Sequence, residues 1–241
     1  YLDKLNYLVN LNGEFKFVNN KIRYANLNSK FQNGGKFLFS IKSTSNNETI
    51  TKLNADRAKP FVSNYKFIKG FQEGVIDFHS VKKNNVSKSV LKIHNFKVRE
   101  VPVLAQLLTL ASLQGIADSL TGEGIRFTDF EMIFSNENDL MTIEEMYSIG
   151  PAISILMEGY SVRNELISLR GTLVPAKTIN RTIASIPVIG DILVGKKVGE
   201  GVFGVSFKIK GPPKDLRSTV NPVKTLTPRF ITRTLEKLKK N

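Results

Sequence analysis

The chain has 241 residues, 41% of them hydrophobic, enough for one large domain or two small ones with a sizeable core. It contains no cysteine, which excludes disulfides, thiolate catalysis and cysteine metal sites, and no run of about 18 apolar residues that would read as a membrane-spanning helix. The formal charge of +14 is uneven: residues 1–99 hold 18 basic and 6 acidic side chains, residues 100–204 hold 7 and 13, and residues 205–241 hold 10 and 2.

Residues 1–99 read as a ladder of short strands. Phe15 and Phe17 alternate with Glu14 and Lys16, Phe37, Phe39 and Ile41 with Lys36, Ser40 and Lys42, and Ile76 and Phe78 with Asp77 and His79. A period of two places the apolar set on one face of a sheet and the polar set on the other. Turn signals at Asn12-Gly13, Asn33-Gly34-Gly35, Asn46-Asn47, Glu73-Gly74 and Asn84-Asn85 space these strands for an antiparallel meander. Residues 101–120 change period. Leu104, Leu107, Leu108 and Ala111 fall at helical spacing, with only Gln106, Thr109 and Ser112 as a polar stripe, so one helix buried nearly all round is expected. Gln106, Gln114, Gly115 and Asp118 speak against a membrane span. Strands return at Phe130, Met132 and Phe134, at Ile153, Ile155 and Met157, and over 165–174, with Glu158-Gly159 and Arg163-Asn164 as strand-end and hairpin signals. Residues 179–194 form a second helical stretch broken by Pro187, with Ile183, Ile186 and Ile189 as apolar surface. Val205, Phe207 and Ile209 mark a last clear strand, ended by Gly211-Pro212-Pro213. Residues 228–240 predict a short basic amphipathic helix. Its Arg229, Arg233, Lys237, Lys239 and Lys240 suit an anionic membrane surface or a partner protein, or are simply a solvated terminus.

Few residues here point to chemistry. Gly199, Gly201 and Gly204 spell G-x-G-x-x-G, but a strand follows where a dinucleotide site needs a helix, so a glycine turn is expected instead. His79 and His94 lack metal-ligand spacing and read as surface strand residues. Glu144-Glu145 has no matched carboxylate elsewhere in the pattern, and G-x-S-x-G is absent. No catalytic residue, cofactor or metal is therefore expected. The basic pI invites a nucleic-acid reading, but the lysines alternate with Phe and Ile as solvent-facing strand positions do, and no nucleic-acid-binding signature is present. Lys outnumbers Arg 25 to 10, a composition that an AT-rich coding bias also produces.

The last third reads RGTLVPAKTIN (170–180), SIPVIGDILVG (185–195), GEGVFGVSFKIKGP (199–212), VNP (220–222) and LTPRF (226–230). Together with EVPVLAQLLTLASLQGIADSLTGEGIRF (100–127) and GPAISILMEGYSV (150–162), this order of blocks resembles the C-terminal region of the AsmA-like bacterial envelope proteins, the AsmA, YhdP and TamB type. The resemblance covers roughly residues 65–233; Lys177, Lys214-Asp215-Leu216 and Arg229 depart from the pattern, all in turns or helix starts. It implies a mainly β fold with helices (α+β), a curved antiparallel meander forming a groove or taco-like sheet capped by apolar helices. Residues 1–99 would end a repeating β-groove and residues 100–241 would be the AsmA-like region with helical caps, or the two would be one continuous domain. It implies no enzymatic activity. It implies handling or conduction of phospholipid between inner and outer membranes, in support of outer-membrane biogenesis, on the periplasmic side of a bacterial envelope. The chain begins at Tyr1 and reads as an excerpt or processed chain, so an inner-membrane anchor is expected upstream. Groove-lining candidates are Phe15, Phe17, Phe37, Phe39, Ile41, Ile76, Phe78, Phe130, Met132 and Phe134; cap candidates are Leu104, Leu107, Leu108, Ile183, Ile186 and Ile189. The expected partners are phospholipid or a membrane surface and an envelope protein, not nucleic acid. The same alternation also builds a sandwich with a filled core, so a structural or interaction protein of the envelope is the other expectation.

Overall fold

A computed structural model describes residues 7–44, 47–62, 70–175 and 204–223. The strands are β1 (Leu8–Val18), β2 (Lys21–Phe31), β3 (Lys36–Ser43), β4 (Glu48–Ala55), β5 (Gln72–Lys83), β6 (Val86–Val98), β7 (Ile125–Glu137), β8 (Leu140–Ile149), β9 (Ile153–Val162), β10 (Leu166–Pro175), β11 (Gly204–Gly211) and β12 (Arg217–Val223). A short helix α1 (Lys59–Val62) follows β4, and two helices, α2 (Pro102–Leu110) and α3 (Gln114–Thr121), lie between β6 and β7. Each strand pairs antiparallel with its neighbours in sequence, so the described strands form one open, curved meander. β6 and β7 flank residue 100 and pair from Val86↔Glu137 to Val98↔Ile125, so the sheet runs on across that position.

Asn occupies left-handed positions at several hairpin turns. Asn19, Asn20, Asn84, Asn138 and Asn164 have φ of 50, 56, 53, 53 and 60°. Asn enters this left-handed region more readily than other side chains because its short amide bonds locally to the backbone, and turns of this hand match strand twist. Three expected turns are not turns. Asn12-Gly13, Glu73-Gly74 and Glu158-Gly159 fall inside β1, β5 and β9. The glycines serve close approach there: a Cβ on Gly13 would meet the Asn26 carbonyl, and one on Gly159 the Ser168 carbonyl. Glu73 and Gly74 take φ of 60° and 86° inside β5, opposite Phe96 and Asn95, and the register with β6 is unchanged on either side.

The 101–120 stretch is two helices rather than one. Ser112 takes φ 58°, the Leu113 amide donates back to the Leu108 carbonyl at 2.8 Å, and the helix restarts at Gln114. Leu104, Leu107 and Leu108 of α2 and Ala117 and Leu120 of α3 are buried. α2 packs on α3 and on β12, and α3 packs on β7. One buried cluster holds these residues together with Phe31 of β2, Ile76 of β5, Ile125 of β7, Ile153 of β9 and Phe207 of β11. In a flat sheet β2 and β11 would stand roughly 40 Å apart at about 4.8 Å per strand. The apolar face is therefore the inside of the curve.

Candidate functional site

Cross-strand register sorts the inner face into rows that run from strand to strand. The row nearest the helices contains Phe37, Ala55, Ile76, Ile93, Phe130, Ile155, Leu173 and Val205, interrupted by Ser148. The second row starts at Leu27, Phe39, Leu53, Phe78 and Leu91 on β2–β6. It continues as Met132, Met146, Met157, Gly171, Phe207 and Val220 on β7–β12. No polar side chain breaks it. The third row mixes Ile41, Phe134, Ile143 and Leu169 with Thr51, Ser80 and Ser89, and Ser89 Oγ donates to Ser80 Oγ at 2.9 Å. The fourth, at the hairpin end, mixes Ser43, Thr49, Lys82, Ser87, Asn136 and Ser161 with Met141 and Ile167.

Burial separates the first two rows over most of β3–β9, while Phe207 of the second row and Ser89, Ile143 and Ile209 of the third are buried. Phe37, Ile76, Ile93 and Leu173 are below a tenth exposed, whereas Phe39, Leu53, Phe78, Leu91, Met132, Met146 and Met157 are half-buried. The inner face is thus packed toward the helices, apolar and partly accessible at mid-strand over β3–β9, and more mixed in polarity toward the hairpins.

All ten groove candidates lie on this face. Phe15 stands opposite Ala25, with Phe17 beside it and their rings stacked at 6.2 Å. Phe37, Ile76 and Phe130 are in the first row, Phe39, Phe78 and Met132 in the second, and Ile41 and Phe134 in the third. Phe37 and Ile76 are buried and belong to the packed end, not to an accessible lining. Leu104, Leu107 and Leu108 join that end. The 179–194 stretch with Ile183, Ile186 and Ile189, and the 228–240 stretch with Arg229, Arg233, Lys237, Lys239 and Lys240, lie outside the described residues. Leu27, Leu53, Leu91 and Met146 of the second row are absent from the candidates. Their strands alternate Leu or Met with Ser, Thr or Ala on the inner side, which blurs the period.

The outer face mixes apolar positions such as Val81, Val90, Ile133 and Ile149 with charged ones, several of which are paired over β6–β10. Lys92 Nζ lies 3.3 Å from Glu131, which also accepts from Tyr147 at 2.7 Å, and His94 Nδ1 lies 2.9 Å from Asp129. Arg170 donates to Glu158 at 2.7 and 2.9 Å. Nearer the helices, Arg126 reaches Glu73 with two bonds of 2.8 and 3.1 Å. Those hydrogen bonds hold the Glu73 carboxyl below the usual carboxylate range and push the Arg126 guanidinium up. Glu144 and Glu145 sit at a bulge in β8 where the register steps from Ile143 to Met146; Glu145 is buried and Glu144 exposed. A cavity of about 490 Å³ opens on this side, lined by Glu145, Glu158, Arg170, Lys208, Thr219 and Asn221 among others. Among the described residues there is no cluster of three metal-ligating His, Cys, Asp or Glu side chains, and no helix long and apolar enough to cross a membrane.

No family model, curated protein or solved structure matches the chain.

Proposed function

We propose that this chain is a non-enzymatic lipid-handling module, the C-terminal part of an AsmA-like β-groove that shields phospholipid tails between the inner and outer membranes and so supports outer-membrane biogenesis. In this reading it works on the periplasmic side of a bacterial envelope, held to the inner membrane by an upstream segment. The observation that carries it is the second inner row, apolar without interruption from Leu27 to Val220 and half-buried over β3–β9. A lipid with roughly 30 tail methylenes, each worth about 0.8 kcal/mol, resists entering water by about 24 kcal/mol. A continuous apolar track removes most of that cost at every point along its length, and it needs no specific pocket. The hairpin end, more mixed in polarity, leaves room for a hydrated head group, and α2 and α3 cap the packed end.

A structural or interaction protein of the envelope with a filled core is the second reading. The burial of Phe37, Ile76 and Ile93 toward the helices favours it at that end. Mass spectrometry of lipids retained on the purified chain, compared with the variant Met146→Glu, separates the two. Retained phospholipid that falls severalfold in a folded M146E supports the trough; lipid-free protein in both forms supports the filled core.

A further inference from the structure

The β1–β2 hairpin carries an apolar tip that the sheet does not cover. Phe15, Phe17, Val18 and Ile22 are 52, 61, 41 and 37% exposed. Phe17 pairs with Ile22 and Val18 with Lys21, so the four cluster around the Asn19-Asn20 turn. Cations flank the tip, with Lys16 and Lys42 on the opposite face of the sheet from Phe15. Lys16, Lys21 and Arg23 are exposed on the same hairpin, and Lys42 stands opposite Tyr24 on the next strand. None of these four is in an ion pair among the described residues, while Glu48 at the neighbouring turn is paired with Lys83 at 3.3 Å. Glu14 is the one carboxylate of the hairpin itself. This half of the outer face differs from β6–β10, where Lys92, His94 and Arg170 each face a carboxylate.

We propose that this hairpin tip inserts into the interface of an anionic phospholipid bilayer, with Phe15, Phe17, Val18 and Ile22 among the upper acyl carbons and Lys16, Lys21, Arg23 and Lys42 on the head-group phosphates. An apolar hairpin tip with long cationic side chains beside it suits that boundary, because the cationic stems can lie along the apolar layer while their heads stay at the phosphates. A polyanion such as nucleic acid would use the cations and leave the apolar tip in water. An apolar protein surface would cover the tip and leave the cations unpaired. The proposal does not depend on what the trough holds.

The chain has no tryptophan, so Phe17→Trp places a single reporter at the tip of the otherwise intact protein. Vesicles of phosphatidylglycerol with phosphatidylcholine should shift its emission to the blue, and brominated lipid should quench it. Pure phosphatidylcholine should do neither, and salt should weaken the effect. Replacing Lys16, Lys21 and Arg23 by Gln should lower vesicle affinity on the order of a hundredfold, at about fivefold per cation. Tyr160→Trp, at an exposed site on β9, should not respond. No shift with anionic vesicles overturns the proposal, as does an equal response at Tyr160. A shift that grows with protein concentration without vesicles also overturns it, assigning the tip to self-association.

Discussion

At Gly171 the second inner row lacks a side chain, and Phe207, its partner in the register, fills the space. A Cβ there would sit 2.6 Å from Phe207 Cζ and would also meet the Leu156 carbonyl. Gly171→Ala is therefore expected to push the ring aside and cost about 1–3 kcal/mol, measured by denaturant unfolding. An unchanged midpoint would mean that the ring has room to move. Glu73 and Arg126 make a different prediction. The Glu73 pKa is lowered first by its hydrogen bond from Arg126. A carboxylate with a depressed folded pKa stabilises the fold above its unfolded pKa, and that contribution is lost as pH falls through the folded value. Both side chains are well exposed, so the effect is small. Glu73→Gln should melt slightly lower than the parent at neutral pH and match it in acid; a gap that persists in acid would assign the effect to packing around Glu73 in β5.

The helices test the packed end. Leu107 is 2% exposed in the cluster that joins α2 to the sheet, so Leu107→Asp should cost several kcal/mol, because the carboxylate is buried without a partner. Leu108→Ala, at 0% exposure, should cost about 2–5 kcal/mol. Unchanged melting temperatures in both would place α2 away from the core. These helices also show where sequence reading stops at this scale. The buried leucines were legible from helical spacing, but the break was not: Ser112 takes a left-handed φ that nothing in its residue type requires. Period two exposed the strands whose inner positions are Phe or Ile, such as β3 and β5. It was blind to β12, where Pro222 and scattered polar residues leave little alternation. Gly next to Asn or Glu misled in the other direction, because close strand approach and tight turns ask for the same residue.

At the scale of the whole molecule, alternation says which face a residue takes but not which residues stand beside it. All ten groove candidates share the inner face, yet the row structure that separates buried Phe37 and Ile76 from half-buried Phe39 and Phe78 depends on register. Register is set by turn lengths and bulges, such as those at Lys16/Phe17 and Ile143/Met146, which composition does not reveal. Curvature was not readable from alternation and came instead from the family resemblance; in the fold α2, which follows β6, packs on β12. The function rests on whether the mid-strand row meets lipid, and two adjacent residues can decide it. Phe78 faces the row and His79 faces outward beside Lys52. A photocrosslinking side chain placed at each position in turn, in cells, compares the two sides of one strand. Phospholipid captured at Phe78 and not at His79 is the outcome expected of a lipid-bearing trough; capture of protein alone at Phe78, or of lipid equally at both, would contradict it.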